Sequence, residues 1–107
     1  MSYRDKEVYF AKVAEQAERY DEMSEHMENV GKLARELSAQ ERHLLSVAYQ
    51  FAVGSRRAAL FVLTSVAQKE TSKGHVANAQ CAKEYCEKVK GELQKICDTI
   101  LGLLDGR

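Results

Sequence analysis

Proline is absent from this sequence of 107 residues, whereas alanine, glutamate, lysine, glutamine and leucine are plentiful. This composition suits long helices, and it suits neither a β-sandwich nor a disordered tail. A chain of this length buries about two-thirds of the surface that it exposes when unfolded, which is enough for one domain. We therefore predict an all-α protein that forms a single helical domain over residues 1–107.

An excess of charge is also lacking, because 16 lysines and arginines balance 16 aspartates and glutamates. Without a net charge the protein has no general attraction for nucleic acid or for an anionic membrane. Residues 1–7 lack the apolar core of a signal peptide, so nothing in them directs the chain out of the cytosol. These features predict a cytoplasmic protein that binds neither nucleic acid nor a membrane.

Motifs that carry chemistry are missing as well. The cysteines Cys81, Cys86 and Cys97 are odd in number and form no C-x-x-C pair, so we predict three free thiols. None of the three histidines follows a glutamate at the Glu-x-x-His spacing that a di-iron bundle requires. H-E-x-x-H, a Walker loop and an EF-hand loop are absent too. We predict no metal, no cofactor and no enzymatic activity.

The spacing of apolar residues predicts four helices, at about residues 5–17, 20–34, 39–70 and 77–104. Ser38 and Glu41 have the spacing of a capping box and predict where the third helix starts. From Leu44 to Ala67 this helix is apolar on all its faces, so it must be covered all round. Because three partner helices of one small chain cannot cover it completely, the pattern indicates self-association.

Arg56 and Arg57 are the only charged residues between Leu44 and Ala67. Two guanidinium groups at the midpoint of the stretch exclude a membrane span, since each is costly in hydrocarbon. Their planar donor groups suit phosphate oxygens, but they also suit carboxylates of a neighbouring helix. The residues by themselves leave both interpretations open.

Several stretches resemble a known family. They are AEQAERYDEM at 14–23, ELS at 36–38, ER at 41–42 before LLSVAY at 44–49, VG-x-RR at 53–57, and EY-x-EKV at 84–89, followed by EL at 92–93 and ICD at 96–98. In order and separation they are similar to the signatures of the N-terminal, dimer-forming region of 14-3-3 proteins. The resemblance implies four antiparallel helices, as in the N-terminal part of that fold, and a homodimer through the helical floor.

In that family the first helix packs against the third and fourth helices of the partner. Carried over to this sequence, the resemblance implies that Arg19 pairs with Glu92, and Glu22 with Lys88, across a two-fold axis. It also implies an apolar contact made by Val13, Ala17, Ala59, Leu63, Val66 and Tyr85.

The resemblance further implies an adaptor that binds phosphoserine or phosphothreonine peptides in an amphipathic groove. Arg57 matches one member of the phosphate-binding cluster, but Gln50 stands at the position of the usual lysine. The remaining arginine and tyrosine of the cluster belong to a fifth helix that this sequence does not contain. Losing one cation from such a cluster costs about 1–3 kcal/mol. We therefore expect phosphoproteins to be bound weakly, through an incomplete and impaired groove.

The departures from the family pattern are concentrated in the third helix, where Phe51 and Phe61 stand at positions that are polar or charged in the family, and Leu60 stands in place of a tryptophan. Two hypotheses follow. The first is a truncated 14-3-3-like adaptor or scaffold fragment that dimerises and retains some phosphopeptide recognition. The second is an engineered or divergent self-assembling scaffold, in which the apolar third helix forms a new core or oligomer interface and binds no phosphopeptide.

Overall fold

The structure, a computed structural model, describes residues 1–33 and 36–105. It contains four α-helices, α1 (Tyr3–Gln16), α2 (Tyr20–Leu33), α3 (Ala39–Ser72) and α4 (Val76–Asp105). The described residues contain no strand, and the all-α prediction is confirmed. The predicted end of the second helix, residue 34, lies outside the described residues. The contacts divide the chain into two compact units, Met1–Ala52 with Cys97–Arg107, and Val53–Ile96.

Local hydrogen bonds fix both ends of α1. The Ser2 hydroxyl accepts from the Asp5 amide at 3.1 Å and caps the N-terminus. At the other end the helix stops at Gln16, one residue before the predicted end, and Glu18 adopts a left-handed conformation with φ 57°. The Arg19 amide then donates to the Ala14 carbonyl at 2.9 Å and satisfies a terminal acceptor of the helix. This turn allows α2 to begin at Tyr20.

The core of the first unit joins small residues of α1 to methionines of α2. Ala11 and Ala14 are buried on α1 and allow a close approach of α2, whose Met23 and Met27 have no exposed surface. The core cluster is completed by Val30, Leu44 and Ala48. The spacing of three or four residues within each helix places these side chains on one face.

A buried carboxylate holds the start of α3. The Ser38 amide donates to Glu41 Oε1 at 2.8 Å, and the Glu41 amide donates to Ser38 Oγ at 3.1 Å, so the predicted capping box is confirmed. Arg4 of α1 adds two donors to the same carboxylate, from Nε at 2.7 Å and from Nη2 at 2.5 Å. The Arg4 guanidinium holds the pKa of Glu41 down at about 2. Glu41 therefore fixes the N-terminus of α3 against α1.

In the second unit, α3 and α4 are joined by a tight turn. Gly74 has φ 77°, a conformation that residues with a side chain rarely adopt. His75 closes the turn, because its amide donates to the Glu70 carbonyl at 2.9 Å and its Nδ1 lies 2.7 Å from Glu70 Oε2. The buried side chains of this unit are Ala67 on α3 and Ala79, Cys86 and Val89 on α4.

Three findings bear on the chemistry of the molecule. Cys81, Cys86 and Cys97 are free thiols. Among residues 1–33 and 36–105, no three histidine, cysteine or acidic side chains are placed to hold a metal ion. Within the same ranges, no helix has both the length and the apolar character required to cross a membrane.

Candidate interface and ligand-binding residues

The first unit exposes part of an apolar strip on α1. Val13 and Ala17 are both exposed, although Ala17 is the cap that follows the helix rather than a residue within it. Val13 lies away from the face that carries Ala11 and Ala14 into the core. The residues that the resemblance assigns to an apolar contact on α1 are therefore accessible.

The second unit exposes the other residues of the implied contact. Ala59 and Leu63 are half-buried, and Val66 is exposed on the same side of α3, since the three are spaced by four and three residues. On α4, Tyr85 is exposed, and Lys88 Nζ lies 5.7 Å from the centre of its ring. This face therefore combines apolar area with the positive charge of Lys88.

The charged residues of the implied interface already have partners within the chain. Arg19 forms an ion pair with Glu22, one turn along α2, and both side chains are largely exposed. Glu92 lies 3.4 Å from Arg56, measured from Oε1 to Nε. The Arg19–Glu22 pair is exposed and contributes about 0–1 kcal/mol, so exchanging it for a pair with a second copy changes the free energy little.

The structure separates the two adjacent arginines, whose roles the sequence left open. The Arg56 side chain is only 18% exposed and pairs with Glu92. Arg57 is exposed and forms no hydrogen bond or ion pair with any residue that the structure describes. Arg56 thus fits the interpretation as an ion pair between helices, whereas the Arg57 guanidinium is available to an anion.

Arg57 lies at one end of an open groove of about 580 Å³ along α3. Leu60 and Phe61 line it beside Arg57, and the polar side chains of Thr64, Ser65 and Gln68 continue it. Two further residues singled out from the sequence, Gln50 and Phe51, lie in the first unit. There Gln50 is exposed, and Phe51 stacks on Tyr20 with ring centres 4.1 Å apart. Of the three altered apolar residues, the structure brings only Leu60 and Phe61 to the groove.

Sequence reasoning missed a second buried carboxylate, Glu7 on α1. His26 Nδ1 lies 2.5 Å from Glu7 Oε2, and Asn29 donates to the same oxygen at 3.4 Å. Burial raises the pKa of Glu7, but the hydrogen bonds from His26 and Asn29 outweigh it and leave the pKa below its usual value. One signal was available, because Glu7 lies four residues before Ala11, on the buried stripe of α1.

Tyr49 is a further buried titratable group of the first unit, besides Glu7 and Glu41. Its hydroxyl finds no hydrogen-bond partner among the described residues. Burial, helped by the charge of Glu28, raises the pKa of Tyr49 to about 12. The phenol therefore stays protonated at neutral pH and does not serve as a base there.

Comparison with known proteins agrees with this architecture. The profile of the family described as "14-3-3 protein" matches residues 10–107. The chain is 50% identical over 102 residues to 14-3-3 protein 7 of Solanum lycopersicum, covering 95% of this chain and 40% of that protein. It is 51% identical over 107 residues to the 14-3-3-like protein GF14 psi of Arabidopsis thaliana, covering 98% and 42%. It is 53% identical over 98 residues to a 14-3-3 protein homolog of Trichoderma harzianum, covering 92% and 37%.

The chain belongs to the 14-3-3 protein family. Members of this family are adaptors without enzymatic activity, which confirms the prediction that the chain is not an enzyme. The chain spans about two-fifths of the length of the curated relatives that it matches.

Proposed function

We propose that this chain is the dimerisation module of a phosphoserine- and phosphothreonine-binding adaptor that acts in the cytoplasm. The observation that carries the proposal is the pair of accessible apolar surfaces, with Val13 and Ala17 on the first unit and Val66 and Tyr85 on the second. In an isologous dimer each copy uses both surfaces, so that the first of one copy covers the second of the other. Residues 1–107 act together as one domain in this proposal.

Apolar burial supplies most of the association free energy in this dimer. Arg19, Glu22 and Glu92 already form ion pairs within one chain, so their pairing across the axis adds little. Each apolar side chain that becomes buried contributes up to about 1.5–3 kcal/mol. The charged residues then fix the register of the two copies, because a wrong register brings like charges together.

Ligand binding in this proposal depends on Arg57. It is exposed and unpaired among the described residues, which suits a phosphate oxygen acceptor. Gln50, which stands at the position of the family's usual lysine, carries no charge. We therefore expect phosphoproteins to be bound, but weakly, by this chain on its own.

Light scattering tests the dimer directly. The parent chain is expected to have twice its chain mass of 12.1 kDa. Val66→Glu places a charge in the proposed interface and is expected to give monomers. Val76→Glu is the matched control, since Val76 is 79% exposed and lies outside that interface.

The double charge reversal Arg19→Glu with Lys88→Glu is expected to weaken the dimer without abolishing it at high concentration. A monomeric parent chain would contradict the proposal. A dimer that responds equally to the two valine substitutions would contradict it as well, because the effect would then come from added charge and not from the interface.

A further inference from the structure

A second groove of the second unit, of about 670 Å³, runs between α3 and α4. Neither Arg57 nor Phe61 lines it, and neither does any residue of the proposed dimer contact. Its two buried lining residues, Ala67 and Cys86, are 7% and 6% exposed. The other lining residues carry hydroxyl, amide or charged groups, so the groove is a polar cleft with a thiol in its wall.

The charges of this groove come from α4. Lys83 and Lys90 are seven residues apart, so they lie on one side of the helix, about 10.5 Å from each other along its axis. Lys83 is exposed and has no hydrogen bond or ion pair with any residue that the structure describes. Lys90 Nζ lies 3.2 Å from Glu87 Oε1, and both side chains are largely exposed. One end of the groove therefore offers a free cation, and the other end offers both signs of charge.

Cys86 lies between these two ends. Along the helix axis it is about 4.5 Å from Lys83 and about 6 Å from Lys90. On the opposite wall α3 runs in the reverse direction, because a tight turn joins the two helices, so that Ser72 lies toward the first end and Thr64 toward the second. Each end thus combines a charge with a hydroxyl group that can donate or accept a hydrogen bond.

We propose that this groove binds a small peptide with a carboxylate at one end and an amino-acid group at the other, and that the disulfide form of the peptide exchanges with Cys86. Glutathione disulfide has this chemistry. Its glycine carboxylate pairs with Lys83, and its glutamyl end presents a carboxylate to Lys90 and an ammonium group to Glu87. This inference depends neither on dimerisation nor on phosphopeptide binding.

The dimensions of the groove suit such a ligand. An extended tripeptide spans about 10 Å, which matches the separation of the two lysines. The glutamyl arm of glutathione, joined through its side-chain carboxyl, is longer than the glycine arm. Cys86 is likewise farther from Lys90 than from Lys83 along the helix. The central sulfur of the bound tripeptide therefore lies beside the Cys86 thiol.

The covalent step is a thiol–disulfide exchange. The Cys86 thiol gives its proton to solvent, and its sulfur attacks one sulfur of the bound disulfide. The disulfide bond of the ligand breaks as the new bond to Cys86 Sγ forms. One tripeptide stays attached in the groove, and the other leaves as a thiolate that takes up a proton. The disulfide is the oxidant, so the step needs no other reactant.

Timed modification of the full chain, followed by mass spectrometry of its peptides, tests the inference at each thiol separately. The two reagents are glutathione disulfide and the uncharged hydroxyethyl disulfide. Cys81 is the internal reference, because it is exposed and does not line the groove. The ratio of the two rates, charged over uncharged reagent, is expected to be about five- to tenfold higher at Cys86 than at Cys81, since two exposed ion pairs favour the charged reagent by about this factor.

Two exposed lysines of the second unit provide a matched pair of variants. Lys90→Glu is expected to lower the ratio at Cys86 to about that at Cys81, because it repels the glutamyl carboxylate. Lys69→Glu changes the net charge equally, but Lys69 does not line the groove. This control is expected to retain the ratio of the parent chain.

Four results would overturn the inference. The first is a ratio at Cys86 no higher than at Cys81, and the second is an equal effect of the two lysine variants. The third is a Cys86 that reacts with neither reagent until urea unfolds the chain. The fourth is a loss of helical circular dichroism when Cys86 is modified, because a groove that holds the tripeptide leaves the helices intact.

Discussion

Replacing Glu41 by glutamine tests the contact that holds α3 against α1. The carboxylate accepts from Arg4 Nε at 2.7 Å, from Arg4 Nη2 at 2.5 Å and from the Ser38 amide at 2.8 Å. Its two oxygens thus receive three donors in a site where Glu41 is buried. A glutamine keeps only one oxygen and turns its amide group toward a donor of Arg4 or Ser38. At least one hydrogen bond is lost, and two donors face each other.

The size of the effect follows from the titration of Glu41. Hydrogen bonds from Arg4, more than any other cause, hold its pKa at about 2, against a usual value of 4.5. This difference corresponds to an upper limit of about 3 kcal/mol. Because the Arg4 side chain is 41% exposed, solvent screening reduces that figure. We expect Glu41→Gln to lower the free energy of unfolding by about 2 kcal/mol at pH 7.

The pH dependence provides a second signature of the same contact. Since the pKa of Glu41 is lowered by folding, its contribution is complete above the usual value of 4.5 and disappears as the pH falls toward about 2. The difference in stability between the parent chain and Glu41→Gln should therefore shrink between pH 5 and pH 3.

Urea denaturation followed by circular dichroism measures this difference at each pH, with the protein concentration held constant because association also stabilises the fold. Glu25→Gln is the control, since Glu25 is an exposed acid of α2. It is expected to change stability by less than about 0.5 kcal/mol. An effect of Glu41→Gln no larger than that of the control, or one independent of pH, would refute the reasoning.

Two further predictions concern two glycines, one inside α4 and one in the turn before it, and the Glu7 pair. Gly91→Ala inside α4 should raise the free energy of unfolding by about 0.5–1 kcal/mol, because an added methyl group meets open space. Gly74→Ala should lower it by about 1 kcal/mol, because of φ 77°. If the unfolding temperatures of the two alanine variants shift in the same direction relative to the parent chain, these two predictions are contradicted. His26→Phe removes a hydrogen-bond partner of the buried Glu7 and should cost about 1–2 kcal/mol at pH 7. Because folding lowers the pKa of Glu7, this loss should shrink in urea titrations as the pH falls below the usual value of 4.5; a loss that does not change with pH would exclude the carboxylate as its cause.

The local pattern of the sequence predicted the helices well, because helix formation depends mainly on neighbouring residues. The capping box of Ser38 and Glu41 involves residues three apart, and the structure confirms both of its hydrogen bonds. The start of α1 at Tyr3 was placed two residues too late, because the cap at Ser2 was not recognised in the sequence. Family membership, which the motifs implied, is confirmed by the comparisons.

The candidate site was only partly predictable. Arg57 was singled out as a phosphate ligand by resemblance, but the residues gave no means of distinguishing it from Arg56. Adjacent residues of a helix point about 100° apart, and which direction meets Glu92 depends on how α4 packs. For the same reason the sequence could not show that Phe51 stacks on Tyr20 whereas Phe61 stays exposed.

By itself the sequence determined the all-α class, the start of α3 at its capping box, the family and the excess of apolar surface on α3. These properties depend on composition, on spacing within one turn, or on matching motifs. Only the tertiary structure decided which charges are paired. Arg4 and Glu41 are 37 residues apart, and Glu7 and His26 are 19 apart. The period of a helix shows which face a residue occupies, but a partner is set by the helix that packs on that face.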